Sequence, residues 1–212
     1  MKQDVLIVGA GPTGLVLALW LTAQGVKVRI IDKNVGPGPT SRAMVVHART
    51  IELYRQLDLA DAVVEAGHRN PSVNLWAKGR VKARISFSPT GGNLTPYPFV
   101  LVYPQDHHER LLEARLEALG VKVERQTELV DFEHDAAGVS ARLCLPDGGS
   151  EVCTAQYLAG CDGARSPVRH RLEVDFAGGT YDQTFYVADV DVSGATANGE
   201  AHISLETGNF VA

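Results

Sequence analysis

Three glycines at fixed offsets, Gly9, Gly11 and Gly14, separate a short apolar run from a helix-like one. Val5-Leu6-Ile7-Val8 is β-branched and apolar, the pattern of a strand buried on both faces. Leu15 to Ala23 reads as a helix, with Gly25 as its natural C-terminal stop. Val26 to Ile31 reads as a second strand that closes at Asp32, which completes a βαβ unit in about 30 residues. In such a unit the first glycine allows a tight turn, the second lets a pyrophosphate approach the backbone, and the third lets helix and strand pack closely. The helix then offers free N–H groups and the positive end of its dipole to phosphate. Asp32 lies 18 residues beyond Gly14, where an acid reaches a ribose hydroxyl. Pro12 and Thr13 in the turn, and Lys33 beside the acid, complete the local set of cofactor-binding candidates. A glycine turn without a ligand is the alternative, and the strand–turn–helix–strand–acid context favours a dinucleotide.

The later pattern departs from a plain alternation of strand and helix. Helices are expected over 48–57 and 59–66, then two strand-like runs from Ser72 to Phe87 around a Lys78-Gly79-Arg80 turn. After a loop at 89–98 come a strand over Val100–Val102 and a helix over 105–119, with Asp106 and Glu109 at capping-box spacing and Gly120 as the stop. Strands are expected over 121–124, 128–134, 139–145 and 151–153, a further buried one over 157–160, and more over 185–192 and 202–205. A single doubly wound sheet alternates throughout. The interruption predicts a Rossmann-like three-layer α/β domain, pieces near 1–70 and 99–177, into which a mixed β-sheet domain, near 71–98 and 178–212, is inserted.

Charge and cysteine usage exclude several classes. The net charge is −5 with no basic run, against nucleic acid or a polybasic membrane anchor as partner. The apolar segment Leu15–Leu21 is far short of the roughly 20 residues of a membrane span. Cys144, Cys153 and Cys161 lack metal-ligand spacing and read as buried free thiols in a cytoplasmic protein. Asp106-His107-His108-Glu109 looks metal-like, but neighbours on a helix point in different directions, so a charged helix start is favoured and no metal is expected. Trp76, Phe87, Tyr97 and Phe99 either line an aromatic pocket or fill a core.

Two further segments are more specific. One is Ser41-Arg42-Ala43 followed by His47-Ala48-Arg49-Thr50-Ile51-Glu52-Leu53, and the other runs from Tyr157 through Gly160-Cys161-Asp162-Gly163-Ala164-Arg165-Ser166-Pro167-Val168-Arg169. With the glycine motif they resemble, in order and context, the class A flavoprotein monooxygenases, the group of p-hydroxybenzoate, phenol and polyketide hydroxylases. The resemblance covers essentially the whole chain. It implies an FAD-binding domain in which Arg42 lies at the pyrophosphate side or near the flavin, and Gln105 meets the ribityl-phosphate region. It further implies that Asp162 contacts FAD and that the Asp162-Gly163 segment also serves NAD(P)H. The activity implied is hydroxylation of a phenolic or polyketide-like aromatic with NAD(P)H and O₂. No residue stands out as a catalytic acid or base. Asp32 stands where the family usually has Glu, and its shorter arm still suits a ribose. Family members continue to a later Gly-Asp motif, and none follows Gly163 here, so a truncated substrate domain and an inactive fragment are part of the expectation. The alternatives are an NAD(P)-linked Rossmann oxidoreductase, which leaves Asp162-Gly163-Ala164-Arg165-Ser166 without a purpose, and a truncated, non-catalytic nucleotide-binding module. Oligomeric state stays open.

Overall fold

In the computed structural model the described residues are 3–38, 45–87, 94–179, 197–206 and 209–211, with isolated positions between 179 and 197. They divide by contact into two units, 1–40 with 106–185 and 41–105 with 186–212.

The first unit is built on β1 (Gln3–Val8), α1 (Pro12–Ala23) and β2 (Val28–Asp32). Val5–Val8 run parallel to Val28–Ile31 on one side and to Tyr157–Gly160 on the other. Flanked on both sides, β1 buries Leu6 and Ile7 completely, which its unbroken apolar run requires. Gly25, at φ 78, turns the chain out of α1 as expected. A helix α4 is reached later in the chain (Gln105–Ala118), and Gly120 at φ 84 stops it. It leads to β8 (Val123–Arg125), which pairs with β2. β9 (Glu128–Asp135), β10 (Gly138–Cys144) and β11 (Ser150–Gly160) form an antiparallel meander. The sheet order is β8-β2-β1-β11-β10-β9.

Here β11 corrects the sequence reading. Separate strands over 151–153 and 157–160 are one strand of 11 residues, because Thr154-Ala155-Gln156 contains no Gly or Pro to break it. Its first half pairs with β10 and its second half with β1. Nor is 157–160 buried throughout: Leu158 packs on the core, while alternation carries Tyr157 out to 68% exposure. The core joins Leu6, Val8 and Ile31 of the parallel strands to Phe132, Ala141, Leu143, Cys153 and Ala155 of the meander. The meander therefore layers over one face of the parallel strands, and α1 covers the other with Leu15, Ala18 and Leu19. Across that layering Arg29 of β2 donates to both oxygens of Glu124 (2.8 and 2.7 Å) and both of Glu151 (2.6 and 2.9 Å). These bonds raise the Arg29 pKa and hold Glu151 below the usual carboxylate range. A short helix α5 (Pro167–Arg171) follows β11.

The second unit contains β3 (Val45–Val46), α2 (Ala48–Arg55), α3 (Ala60–Ala66), β4 (His68–Asn70) and β7 (Val100–Val102), with β3 and β4 flanking β7 antiparallel. Its other sheet is mixed. β5 (Ser72–Ala77) and β6 (Arg80–Ser86) form the expected hairpin, turned by Lys78 at φ 52 and Gly79 at φ 66. β12 (Ala201–Glu206) runs parallel to β5, and β13 (Asn209–Val211) closes the edge.

The contact division falls at 40/41, 105/106 and 185/186, where the sequence reading placed boundaries at 70/71, 98/99 and 177/178. Residues 45–70 and 100–102 pair with one another through the β3-β7-β4 sheet, which groups them in the second unit. The capping box at Asp106 is also corrected. α4 begins at Gln105, as expected, so Asp106 sits inside its first turn rather than at its cap, 3.2 Å from Arg110 one turn on. His108 and Glu109 are buried. Of the strand expected over 185–192, residues 185, 187, 189 and 192 lie outside the described residues, and 186, 188, 190 and 191 are not in a strand; Arg42 and its neighbours 41–44 also lie outside the described residues. Among the described residues, no helix is long and apolar enough to cross a membrane.

Candidate functional site

The chain leaves β1 toward β2 on one side and returns as β11 on the other, so the carboxyl ends of β1 and β11 form a topological switch point, where open α/β sheets bind ligands. Both sequence motifs meet there. Cys161 donates its N–H to the Val8 carbonyl at 2.7 Å and continues the parallel ladder past β11. Gly9, at φ 103, donates to the Ile31 carbonyl at 2.8 Å.

The three glycines meet different surroundings. A methyl group on Gly9 would run into the Cys161 carbonyl, and one on Gly14 into the Gly9 carbonyl. Those two positions are glycine because backbones cross there. A methyl group on Gly11 would meet no atom of the described residues within 4 Å. Gly11 also has φ −75 and ψ −179, a backbone open to any residue. Its small size leaves clear space in front of the first turn of α1. Pro12 has no N–H to satisfy, no side chain caps the helix, and no acid occupies the first turn. The Thr13 and Gly14 N–H groups, with the helix dipole behind them, therefore face that space as an anion site.

Asp32 ends β2 beside this turn. Its Oδ2 accepts from the Ala10 N–H at 2.7 Å and its Oδ1 from the Asn34 N–H at 2.8 Å. The acid thus fixes the glycine loop and keeps further lone pairs for a hydroxyl donor. Lys33 is exposed next to it. Arg125, opposite Asp32 in the β2–β8 register, places Nη1 3.9 Å from Oδ1. Glu113 of α4 holds the same guanidinium from behind, with Nη2 at 2.5 Å and Nε at 3.3 Å. Arg125 was not singled out in the sequence; alignment of the β2 and β8 ends, a long-range pairing, is what brings it to the site.

Asp162 closes the other side. Its Oδ2 accepts the Val168 N–H at 3.1 Å, in the first turn of α5, where Ser166 caps by accepting from Arg169 at 3.0 Å. Its Oδ1 is buried and has no hydrogen-bond partner among the described residues. An orphaned carboxylate oxygen in this position is costly unless a ligand or water donates to it. Gly163, at φ 83, turns the chain away. Arg169 is spent on the same loop: it donates to the Ala164 carbonyl at 3.2 Å and lies 5.1 Å over the Phe176 ring. Burial, with the Asp162 charge beside it, pushes the Cys161 thiol up, which keeps it protonated. Gln105 opens α4 where the two units divide.

Clear space over Gly11, an uncapped helix N-terminus, and acids on both sides with acceptor capacity to spare suit a ligand that carries phosphates and hydroxyls. The residues present fit the pyrophosphate and ribose of a dinucleotide.

Comparison with known proteins agrees. Residues 2–206 match the FAD binding domain family. The chain is 42% identical over 207 residues to 6-methylpretetramide 4-monooxygenase of Streptomyces rimosus, covering 97% of this chain and 36% of that protein. It is 39% identical over 175 residues to rifampicin monooxygenase of Streptomyces venezuelae, covering 82% of this chain and 35% of that one. Among solved structures, the p-nitrophenol 4-monooxygenase PnpA of Pseudomonas putida superposes with a TM-score of 0.80 at 26% identity, covering 85% of this chain and 46% of that one. The flavin-dependent monooxygenase PieE, in complex with FAD and substrate, gives 0.76 at 30% identity, covering 84% and 33%. The chain spans roughly a third of the length of the curated relatives it matches. Its relatives are aromatic and polyketide monooxygenases, and the chain belongs to the FAD-binding-domain family.

Proposed function

We propose that this chain binds FAD at the β1–β11 switch point and serves an NAD(P)H- and O₂-dependent monooxygenase that hydroxylates a phenolic or polyketide-like aromatic. The observation that carries this reading is the open space over Gly11 between Asp32 and the unpartnered Oδ1 of Asp162. Gly9 and Gly14 shape the turn; Gly11, Pro12 and Thr13 admit the pyrophosphate. Asp32 takes an adenosine ribose hydroxyl, with Lys33 at the rim. Asp162 and Gly163 hold the flavin side, and the family resemblance assigns Arg42 and Gln105 to FAD as well. FAD, when bound, supplies the redox and oxygen-transfer chemistry, and the chain's residues bind and orient it and exclude water. The mixed β13-β12-β5-β6 sheet belongs, in this reading, to the substrate-binding part. Three free thiols suit a cytoplasmic setting.

The test is NADH or NADPH oxidation by the FAD-loaded protein, with and without phenols, and with isotopic oxygen traced into the product. Phenol-stimulated oxidation with one labelled oxygen in the ring product supports the reading. Tight NAD(P) binding without FAD binding overturns it in favour of a nicotinamide-linked oxidoreductase.

A further inference from the structure

Arg125 stands where β2 and β8 end side by side, and it approaches Asp32 without touching it. The two residues are partners in the parallel register. Just beyond them the two chains are stitched together. Thr127 donates its N–H to the Asp32 carbonyl at 3.0 Å, and Gln126 donates to the Asn34 carbonyl at 3.2 Å. The Thr127 hydroxyl, on a buried residue, donates to the Arg125 carbonyl at 3.3 Å. The backbone under both side chains is thereby fixed.

The guanidinium is fixed as well. Glu113 of α4 accepts from Nε and Nη2, a fork that sets the plane of the group. Nη1 makes no hydrogen bond among the described residues and lies 3.9 Å from Asp32 Oδ1, too far for one. Asp32 is not free to turn and close the gap, because its two oxygens already accept from the Ala10 and Asn34 N–H groups. The Arg125 and Asp32 side chains keep only 16% and 11% exposure, so solvent screens this cation and anion little.

We propose that Arg125 and Asp32 form a clamp for one hydroxyl of the adenosine ribose, with Glu113 as the residue that positions it. An oxygen ~2.8 Å from each atom bridges the gap. A hydroxyl has one donor and two acceptor lone pairs, so it gives its proton to Oδ1 and accepts from Nη1. An acid alone reads only the proton; the pair reads donor and acceptor together. A ribose that lacks the hydroxyl leaves both charged groups without that partner, and sites built in this way discriminate strongly. The proposal rests on the FAD reading above for its ligand, but ADP carries the same ribose, so clamp and flavin are tested apart.

The experiment is calorimetric titration of the 212-residue chain with ADP and with its 2′-deoxy and 3′-deoxy analogues. FAD is titrated in parallel, and thermal unfolding is recorded without ligand. Arg125→Met removes the N–H groups and the charge. Arg125→Lys keeps the charge but has a single nitrogen for Glu113 and Asp32 together. Glu113→Gln loosens the brace and leaves Arg125 in place. The wild-type chain should prefer ADP over at least one analogue by ~tenfold or more. That preference should fall to about twofold in Arg125→Met, with intermediate values in the other two variants. Lost stability, or lost attraction of a cation for the diphosphate, weakens ADP and its analogues alike and leaves the ratio unchanged. The absence of any preference in the wild-type chain overturns the clamp, and so does a wild-type ratio in whichever variants fold. The expected ratios in a chain that does not bind FAD support the clamp and overturn the flavin reading. A chain that binds neither ADP nor FAD overturns both.

Discussion

Gly11→Ala separates a glycine kept for a ligand from one kept for the fold. The backbone at Gly11 is open to alanine, and the added methyl meets no atom of the described residues within 4 Å. Two small effects oppose each other. Restricting the unfolded chain stabilises by ~0.4–1 kcal/mol. Replacing glycine by alanine at a helix N-cap costs a similar ~0.5–1 kcal/mol. Net stability should stay within about 1 kcal/mol, a Tm shift of about 4 °C or less for a chain of this size. Gly14→Ala instead forces a methyl into the Gly9 carbonyl, and overpacking against backbone costs ~1–3 kcal/mol or more. Ligand binding should rank the other way for Gly11→Ala. A methyl in the cleared space pushes the pyrophosphate off the Thr13 and Gly14 N–H groups, and weakening one charge-assisted bond costs ~1.5–3 kcal/mol, a loss of about ten- to a hundredfold in FAD affinity. The assays are thermal unfolding without ligand and FAD titration. A Gly11→Ala chain that binds FAD as wild type does, or that unfolds as early as Gly14→Ala, refutes the reasoning.

Other outcomes follow from the same geometry. Asp32→Ala leaves the buried Ala10 N–H without its acceptor, so thermal unfolding should show a loss of about 2 kcal/mol, and ADP affinity should fall with it. Asp162→Ala removes the acceptor of the Val168 N–H and the buried Oδ1 proposed to accept from FAD, so calorimetry should show weaker FAD binding, whereas Asp162→Asn, which keeps an acceptor, should cost less stability. His108 is buried, and burial lowers its pKa from 6.5 to about 4. The folded state resists a proton that the unfolded chain takes up, so the neutral ring's contribution is full above pH 6.5 and is lost as pH falls toward 4, by about 3 kcal/mol in all. Denaturant unfolding between pH 7 and 4.5 should show that slope, and His108→Gln should flatten it; equal slopes in the two proteins would rule the cause out.

Legibility in the sequence followed the range of the interaction. The β1–α1–β2 unit, its glycines and Asp32 were readable residue by residue, because strand, turn and helix signals there are local. The Lys78-Gly79 turn was readable for the same reason. The unbroken β11 was split, since only its two pairing partners, β10 and β1, reveal that one strand serves both. Asp106 matched a capping pattern, yet α4 starts at Gln105 and uses the carboxylate for Arg110. Arg125 carried no local mark; it reaches Asp32 through a strand pairing some 90 residues apart in the chain. The difference between Gly11 and its two neighbours was also invisible without coordinates, because it depends on which backbones cross.

The most direct test of the central claim is an FAD titration of the purified 212-residue chain, followed by flavin fluorescence and visible absorbance, with ADP and FMN as competitors. If the cradle grips the pyrophosphate and the adenosine ribose as proposed, binding should saturate at one FAD per chain, ADP should displace it, and FMN should compete poorly. Binding that does not saturate, or FMN competing as well as ADP, would contradict the assignment of this site to FAD.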